Sequence, residues 1–198
     1  MELESLFSST RWEILKALSK KSYSPIELSE LLNTTPANIS QQLRLLELAG
    51  LVASERASTA ERGKPRVLYS LANNFSYLIL TSKSFADKRL LPLTTYHNFI
   101  LKSWFLDNVE HHTIISKFYW ELEPYLDYIR SVVLNLSKRE LEIIVIADEP
   151  EKVKITSKEV RTTILTSNEF SNLNLSKYEL HVLYDPEQLV LGKKRDKR

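Results

Sequence analysis

Cysteine is absent from the 198 residues, which excludes disulfides, thiolate metal sites and cysteine nucleophiles together and is compatible with a reducing compartment. Glycine is nearly absent. Gly50, Gly63 and Gly192 are the only three, too few and too scattered for a Gly-rich phosphate loop of the Walker or dinucleotide kind. No apolar run approaches the ~18 residues that span a bilayer, because Lys, Asp, Glu or His interrupts each candidate. The opening Met-Glu-Leu-Glu lacks the basic start of a signal peptide. A soluble, intracellular (cytoplasmic) chain is expected, with no membrane partner and no cofactor.

What is present is ordinary globular composition, 43% hydrophobic and 26% charged, in a chain long enough for one core plus a smaller module. The net charge of +2 neither demands nor forbids nucleic acid, since phosphate binding depends on a few placed cations. Its distribution is uneven. Residues 1–75 carry nine Lys and Arg against eight Asp and Glu, residues 76–192 thirteen against sixteen, and Lys193 to Arg198 five against one. The last six residues read as a basic, solvated tail that adds nonspecific attraction to an anion at most.

The first 75 residues read as three helices and a hairpin. Thr10 and Glu13 have capping-box spacing, and Trp12, Ile14, Leu15 and Leu18 recur with helical period, giving a helix to about Lys20. Ser24-Pro25-Ile26-Glu27 repeats the box with proline at the first helical position and opens a short helix through Leu32 that stops at Asn33. Thr35-Pro36 starts a third helix, with Ile39, Leu43 and Leu46 on one side, ending at Gly50. So short a link between the second and third helices forces a steep crossing, the geometry of a helix-turn-helix. Leu51 to Ser54 and Arg66 to Leu71 have strand composition, with Gly63-Lys64-Pro65 as the turn of a basic-tipped hairpin.

Residues 6–71 resemble the winged-helix domain of the ArsR family of regulators, and more broadly ArsR/MarR-type proteins. The resemblance is carried by Ser9 to Leu15, by Ile26 to Leu32 and by Ile39 through Ala49-Gly50-Leu51-Val52. It implies a DNA-binding transcriptional regulator. Family members that sense metals usually do so through cysteines, so thiolate metal sensing is not expected.

Taken at about 100° per residue with Ile39, Leu43 and Leu46 inward, the third helix places Ala37, Asn38, Gln41 and Arg44 on its outer face and Gln42 at the edge. In the major groove Asn and Gln can pair bidentately with adenine, Arg with guanine, and the Ala37 methyl can touch thymine. Thr35 and the amides beside it can meet a phosphate. Arg62, Lys64 and Arg66 alternate through the hairpin tip, within reach of the backbone or minor groove, and Arg56 lies on the other arm. The expectation is a homodimer on double-stranded DNA, its third helices in successive major grooves about one turn apart.

Beyond a boundary near Ala72-Asn73-Asn74, residues 76–192 read as an α+β dimerisation module, with or without a small-molecule effector. Tyr77 to Thr81 is a strand or an extension of the wing, Thr94 to Leu106 a helix, and His112 to about Leu136 a long amphipathic helix with an optional break after Pro124. Strands follow at 142–147, 160–165 and 179–184. The aromatic series Tyr96, Phe99, Trp104, Phe105, Phe118, Tyr119, Trp120 and Tyr125 suits core or dimer packing more than a ligand pocket. His111 and His112 point about 100° apart on a helix, which argues against a shared metal.

A second, degenerate resemblance lies in residues 131–170. Ser131 to Ser137 followed by Glu140 to Val145 is similar to the nucleotidyltransferase superfamily, in which a Gly-Ser pair and an acidic-x-acidic pair assemble a magnesium site, and Thr163 to Phe170 adds a little. Leu136 replaces the glycine, and only two residues separate Ser137 from Glu140. The resemblance implies, as the alternative, a nucleotide-binding protein or enzyme using Glu140 and Glu142 with Mg²⁺; a noncatalytic relic is favoured. A nonspecific architectural winged helix is a third reading. The leading expectation is a regulator and not an enzyme.

Overall fold

A computed structural model describes residues 3–56, 66–137 and 140–190. It is a mixed helix and sheet protein whose chain divides into two compact units, Met1–Leu93 and Thr94–Arg198.

The first unit begins with a 3-10 turn, Leu3–Phe7, that runs into α1, Ser9–Leu18. The expected capping box at Thr10 is absent: α1 starts two residues earlier, after Ser8, whose carbonyl accepts from the Trp12 N–H at 2.8 Å and whose side chain makes no cap bond. The incoming turn supplies the helix start, and Glu13 instead pairs with Lys16 at 3.1 Å on the exposed side. Ile14, Leu15 and Leu18 are buried as their spacing predicts, while Trp12 is half exposed. Next come α2, Pro25–Leu31, and α3, Pro36–Leu48. Ile14, Leu28, Ile39, Leu43 and Leu46 meet with no solvent exposure in one core.

Strands β1, Val52–Arg56, and β2, Val67–Leu71, form the expected antiparallel hairpin, and Tyr23 adds a bridge to Tyr69 on its inner side. The turn at 63–65, with Arg62 and Lys64, lies outside the described residues, as does the basic tail. Residues Phe75–Ser82 are a strand, β3, but they do not extend the wing. They pair with β4, Phe85–Pro92, as a second hairpin in the first unit. One face of this hairpin is anchored: Phe75 and Leu90 pack on the helical core, Tyr77 stacks on Phe7 at 5.1 Å, and Lys88 pairs with Glu4. The Asn73-Asn74 stretch is therefore a tight connection between hairpins within the first unit. β4 escaped sequence reading because Asp87, Lys88 and Arg89 interrupt any apolar alternation.

The second unit opens with α4, Thr95–Ser103, and α5, Val109–Leu122. The long helix expected to about Leu136 is corrected here. Pro124 takes the second position of a 3-10 stretch, Glu123–Tyr128, and Ile129–Asn135 is a strand, β5. The reason is burial on both faces. Val132 and Leu134 face the core under α4 and α5 while Val133 faces a second core on the far side, so the apolar stretch Val132-Val133-Leu134 shows none of the apolar-polar alternation that separates strand from helix. β6, Glu142–Ala147, β7, Arg161–Leu165, and β8, Leu180–Tyr184, fall where expected and complete a four-stranded sheet in the order β7-β6-β5-β8, with β6 and β7 parallel. A short helix, α6, Ser167–Asn172, covers the far face through Phe170. Lys102 ties α4 to β8 by donating to the Leu183 carbonyl at 3.3 Å, and burial lowers its tendency to carry a proton.

Candidate nucleic-acid interface

Helix α2 is set by a full capping box. The Ser24 N–H and hydroxyl both donate to the Glu27 carboxylate at 2.7 Å, and the Glu27 N–H donates back to the Ser24 hydroxyl at 3.3 Å. These bonds, the backbone one first, hold the Glu27 carboxyl below its ordinary range, with Lys21 and Arg66 adding positive charge. Because the folded value is depressed, the unfolded chain takes up the proton first as pH falls. The stability from this carboxylate is thus complete above about pH 4.3 and lost as pH drops through the folded value. Glu27→Gln keeps an acceptor but removes the charge. It is expected to cost roughly 0.3–1 kcal/mol at neutral pH, at the low end after solvent screening, and nothing in strong acid. Urea unfolding at pH 7 and pH 3 checks this; a deficit independent of pH would contradict it.

The turn into α3 is built by Asn33, in the left-handed conformation at φ 49°. Around it, Thr34 N–H donates to Ser29 carbonyl at 2.9 Å and Asn33 N–H to Glu30 carbonyl at 3.3 Å, the paired bonds that terminate a helix sharply. Asparagine tolerates this conformation better than other side-chain-bearing residues. Thr35 then caps α3 by accepting from Asn38 N–H at 3.2 Å, and Pro36 takes the first helical position. The far end repeats the device with Gly50 at φ 71°: Leu51 N–H donates to Leu46 carbonyl at 3.0 Å and Gly50 N–H to Glu47 carbonyl at 2.9 Å. Both ends of α3 are therefore fixed by local chemistry, and its apolar side by Ile39, Leu43 and Leu46.

The opposite side projects. Thr35, Ala37, Gln41 and Arg44 are exposed, and Asn38 and Gln42 are half-buried. Asn38 and Gln42 are also engaged within the domain. Arg11 of α1 donates from Nε to Gln42 Oε1 at 2.7 Å, Gln42 Nε2 to Asn38 Oδ1 at 3.3 Å, and Asn38 Nδ2 to Thr34 Oγ1 at 3.0 Å. Arg11 reaches the carbonyl of Ser5 with its other arm. Sequence reading missed this role of Arg11, since 31 residues separate it from Gln42. Arg66 is exposed at the foot of β2, where it lines a groove of about 580 Å³ with Glu27, Glu30, Pro36 and Ser40. Arg56 is exposed at the end of β1.

The other constellations sit elsewhere. His112 contacts the Leu106 carbonyl at 3.0 Å and His111 the Asn108 side chain at 3.2 Å. Among the described residues no three His, Asp or Glu side chains are grouped to hold a metal. Glu142 is buried, accepting from Asn135 Nδ2 at 2.7 Å and facing Arg161 at 3.4 Å, whereas Glu140 is exposed. Glu142 thus faces two protein donors, which is ill suited to sharing a metal with Glu140. In the aromatic series Phe99, Phe118 and Tyr119 are core, Tyr96 and Tyr125 pack against that core, and Trp104, Phe105 and Trp120 are exposed.

Residues 8–54 match the family described as bacterial regulatory protein, arsR family, a span that runs from the start of α1 through α3 into β1. No curated protein matches the sequence. Among solved structures, a zinc-responsive MarR family member, Lactococcus lactis ZitR, is 26% identical over 60% of this chain and 75% of its own, with a TM-score of 0.29. A cysteine mutant of ZitR in complex with DNA is 27% identical over 60% and 74%, with a TM-score of 0.28. A mutant in apo form is 25% identical over 64% and 88%, with a TM-score of 0.30. No helix among the described residues is long and apolar enough to cross a membrane.

Proposed function

We propose that this chain, whose residues 8–54 are an arsR-family helix-turn-helix domain, is a cytoplasmic, sequence-specific DNA-binding transcriptional regulator that acts as a homodimer. The observation that carries the reading is the free flank of α3: Ala37, Gln41 and Arg44 project from a helix capped at both ends and fixed by a fully buried opposite side. A helix so presented fits the major groove. Arg44 would pair with a guanine, Gln41 with an adenine, and Ala37 would touch a thymine methyl. Thr35 lies at the positive end of the helix, suited to a phosphate. Arg66 and the residues of the wing, Arg62 and Lys64 included, would follow the backbone or minor groove.

Homodimerisation rests on affinity and on exposed apolar surface. One module buries little on DNA, and a linked pair gains by effective concentration. Trp104, Phe105 and Trp120 of the second unit expose large apolar surface of the kind a second copy would cover. The residues recruited for a nucleotidyltransferase-like site lend that alternative no support, since Glu142 is already paired.

Selection of bound sequences from random duplex, followed by affinities for selected and random duplex at one salt concentration, tests the reading. A preference of about 10³-fold or more is expected, with two chains per selected site. Equal affinities would leave a nonspecific architectural protein, and one chain per site would remove the dimer.

A further inference from the structure

Gln42 and Asn38 are amides, whose two ends are nearly alike in shape but opposite in hydrogen-bonding sense: the oxygen only accepts and the nitrogen only donates. An amide free to rotate by half a turn can offer either pattern to a neighbouring base. Here rotation has a determinant. The guanidinium of Arg11 has donors and no acceptor, so the Gln42 end that meets it at 2.7 Å is the oxygen. That directs Gln42 Nε2 at Asn38, whose facing atom must then accept, and Oδ1 does so at 3.3 Å. Asn38 Nδ2 is left to donate to the Thr34 hydroxyl at 3.0 Å. The hydroxyl imposes no direction of its own, because it can donate or accept. The sense of the whole row is set from the Arg11 end, and Arg11 is itself half-buried and braced by the Ser5 carbonyl.

We propose that Arg11, in α1 and off the presented face of α3, is a specificity-determining positioning residue that fixes which atoms of Gln42 and Asn38 meet the DNA bases. This rests on the reading of α3 as the recognition helix. With the row locked, each amide keeps one N–H and part of its oxygen's capacity for an outside partner, in a single arrangement. The protein then tests the base edge opposite Gln42 and Asn38 against one pattern. Without Arg11 both orientations become accessible, and wrong bases at those positions are penalised less.

The experiment measures affinities of the full chain for its selected duplex and for random duplex, across a salt series. Arg11→Leu is expected to lower the ratio of the two about tenfold while leaving the salt slope unchanged. Arg11→Lys, still donor-only, should keep the ratio within about threefold of the parent. Arg11→Gln can donate or accept; it should behave like Arg11→Leu and covers the case in which the leucine variant does not fold. The decisive comparison is the Gln42→Leu background, where Arg11→Leu should change the ratio less than about twofold, because the residue through which it acts is gone. An unchanged ratio in Arg11→Leu and Arg11→Gln, or a full additional loss in the Gln42→Leu background, overturns the proposal. So does a uniform loss with a salt slope smaller by about one, which marks a phosphate contact. If the parent protein shows no preference at all, the recognition-helix reading fails first, and that outcome is visible before any variant is made.

Discussion

Arg44→Ala is expected to lower affinity for the selected duplex by about ten- to a hundredfold, the equivalent of roughly 1–3 kcal/mol for one bidentate guanine contact, and to leave affinity for random duplex changed far less. Arg44 is exposed on the middle of α3 and makes no fold-supporting bond among the described residues, so the protein should unfold at the parent temperature. The selection repeated with the variant should show relaxed preference at one base pair per half-site. A uniform loss across all sequences would instead make Arg44 a phosphate contact, and an unchanged affinity would take it out of the interface. Ala37 and Gln41 share this flank; Lys64, on the sequence reading of the hairpin tip, belongs with contacts that act alike on all sequences.

The second large effect concerns stability. Phe118 of α5 has no solvent exposure and sits in the core that α4 and α5 form on the sheet, in one cluster with Phe99, Ile115, Leu134 and Val145. Phe118→Ala removes most of a ring and leaves a cavity, at a cost of about 3–5 kcal/mol. Against a total that rarely exceeds about 15 kcal/mol, this takes a large share of the second unit's stability. Urea unfolding of the full chain, followed by near-ultraviolet circular dichroism, should show the midpoint falling sharply. By contrast, Trp120, more than half exposed on the same helix, should tolerate alanine with little loss in the isolated chain. Equal costs at the two positions would contradict the division of α5 into a buried and an exposed side.

Much of the first unit was legible because its signals are local. Ser24 with Glu27, Thr35 with Pro36, and Gly50 each specify a helix end through bonds within five residues, and Ile39, Leu43 and Leu46 declare the buried side of α3 by spacing alone. The second unit is legible where strands stand apart, at 142–147, 161–165 and 180–184. It is illegible at Ile129–Asn135, where burial of both faces erases the alternation that marks a strand. β4 was lost for the opposite reason, since Asp87-Lys88-Arg89 on a two-stranded ribbon looks like a loop. The row from Arg11 to Thr34 could not be read at all, because it joins two helices that only the packed core brings together. Sequence spacing placed Asn38 on the outer face and Gln42 at its edge; it could not tell that their amides were already committed.

On the proposed reading, the Ala37, Gln41 and Arg44 flank of α3 enters a major groove. Methylation interference probes that placement, because a methyl group on guanine N7 blocks the groove and leaves the phosphates untouched. Methylating one guanine in each half of the selected duplex should abolish binding by the parent protein, and Arg44→Ala should lose sensitivity at that guanine alone. Undiminished binding to duplex methylated at every guanine would contradict it.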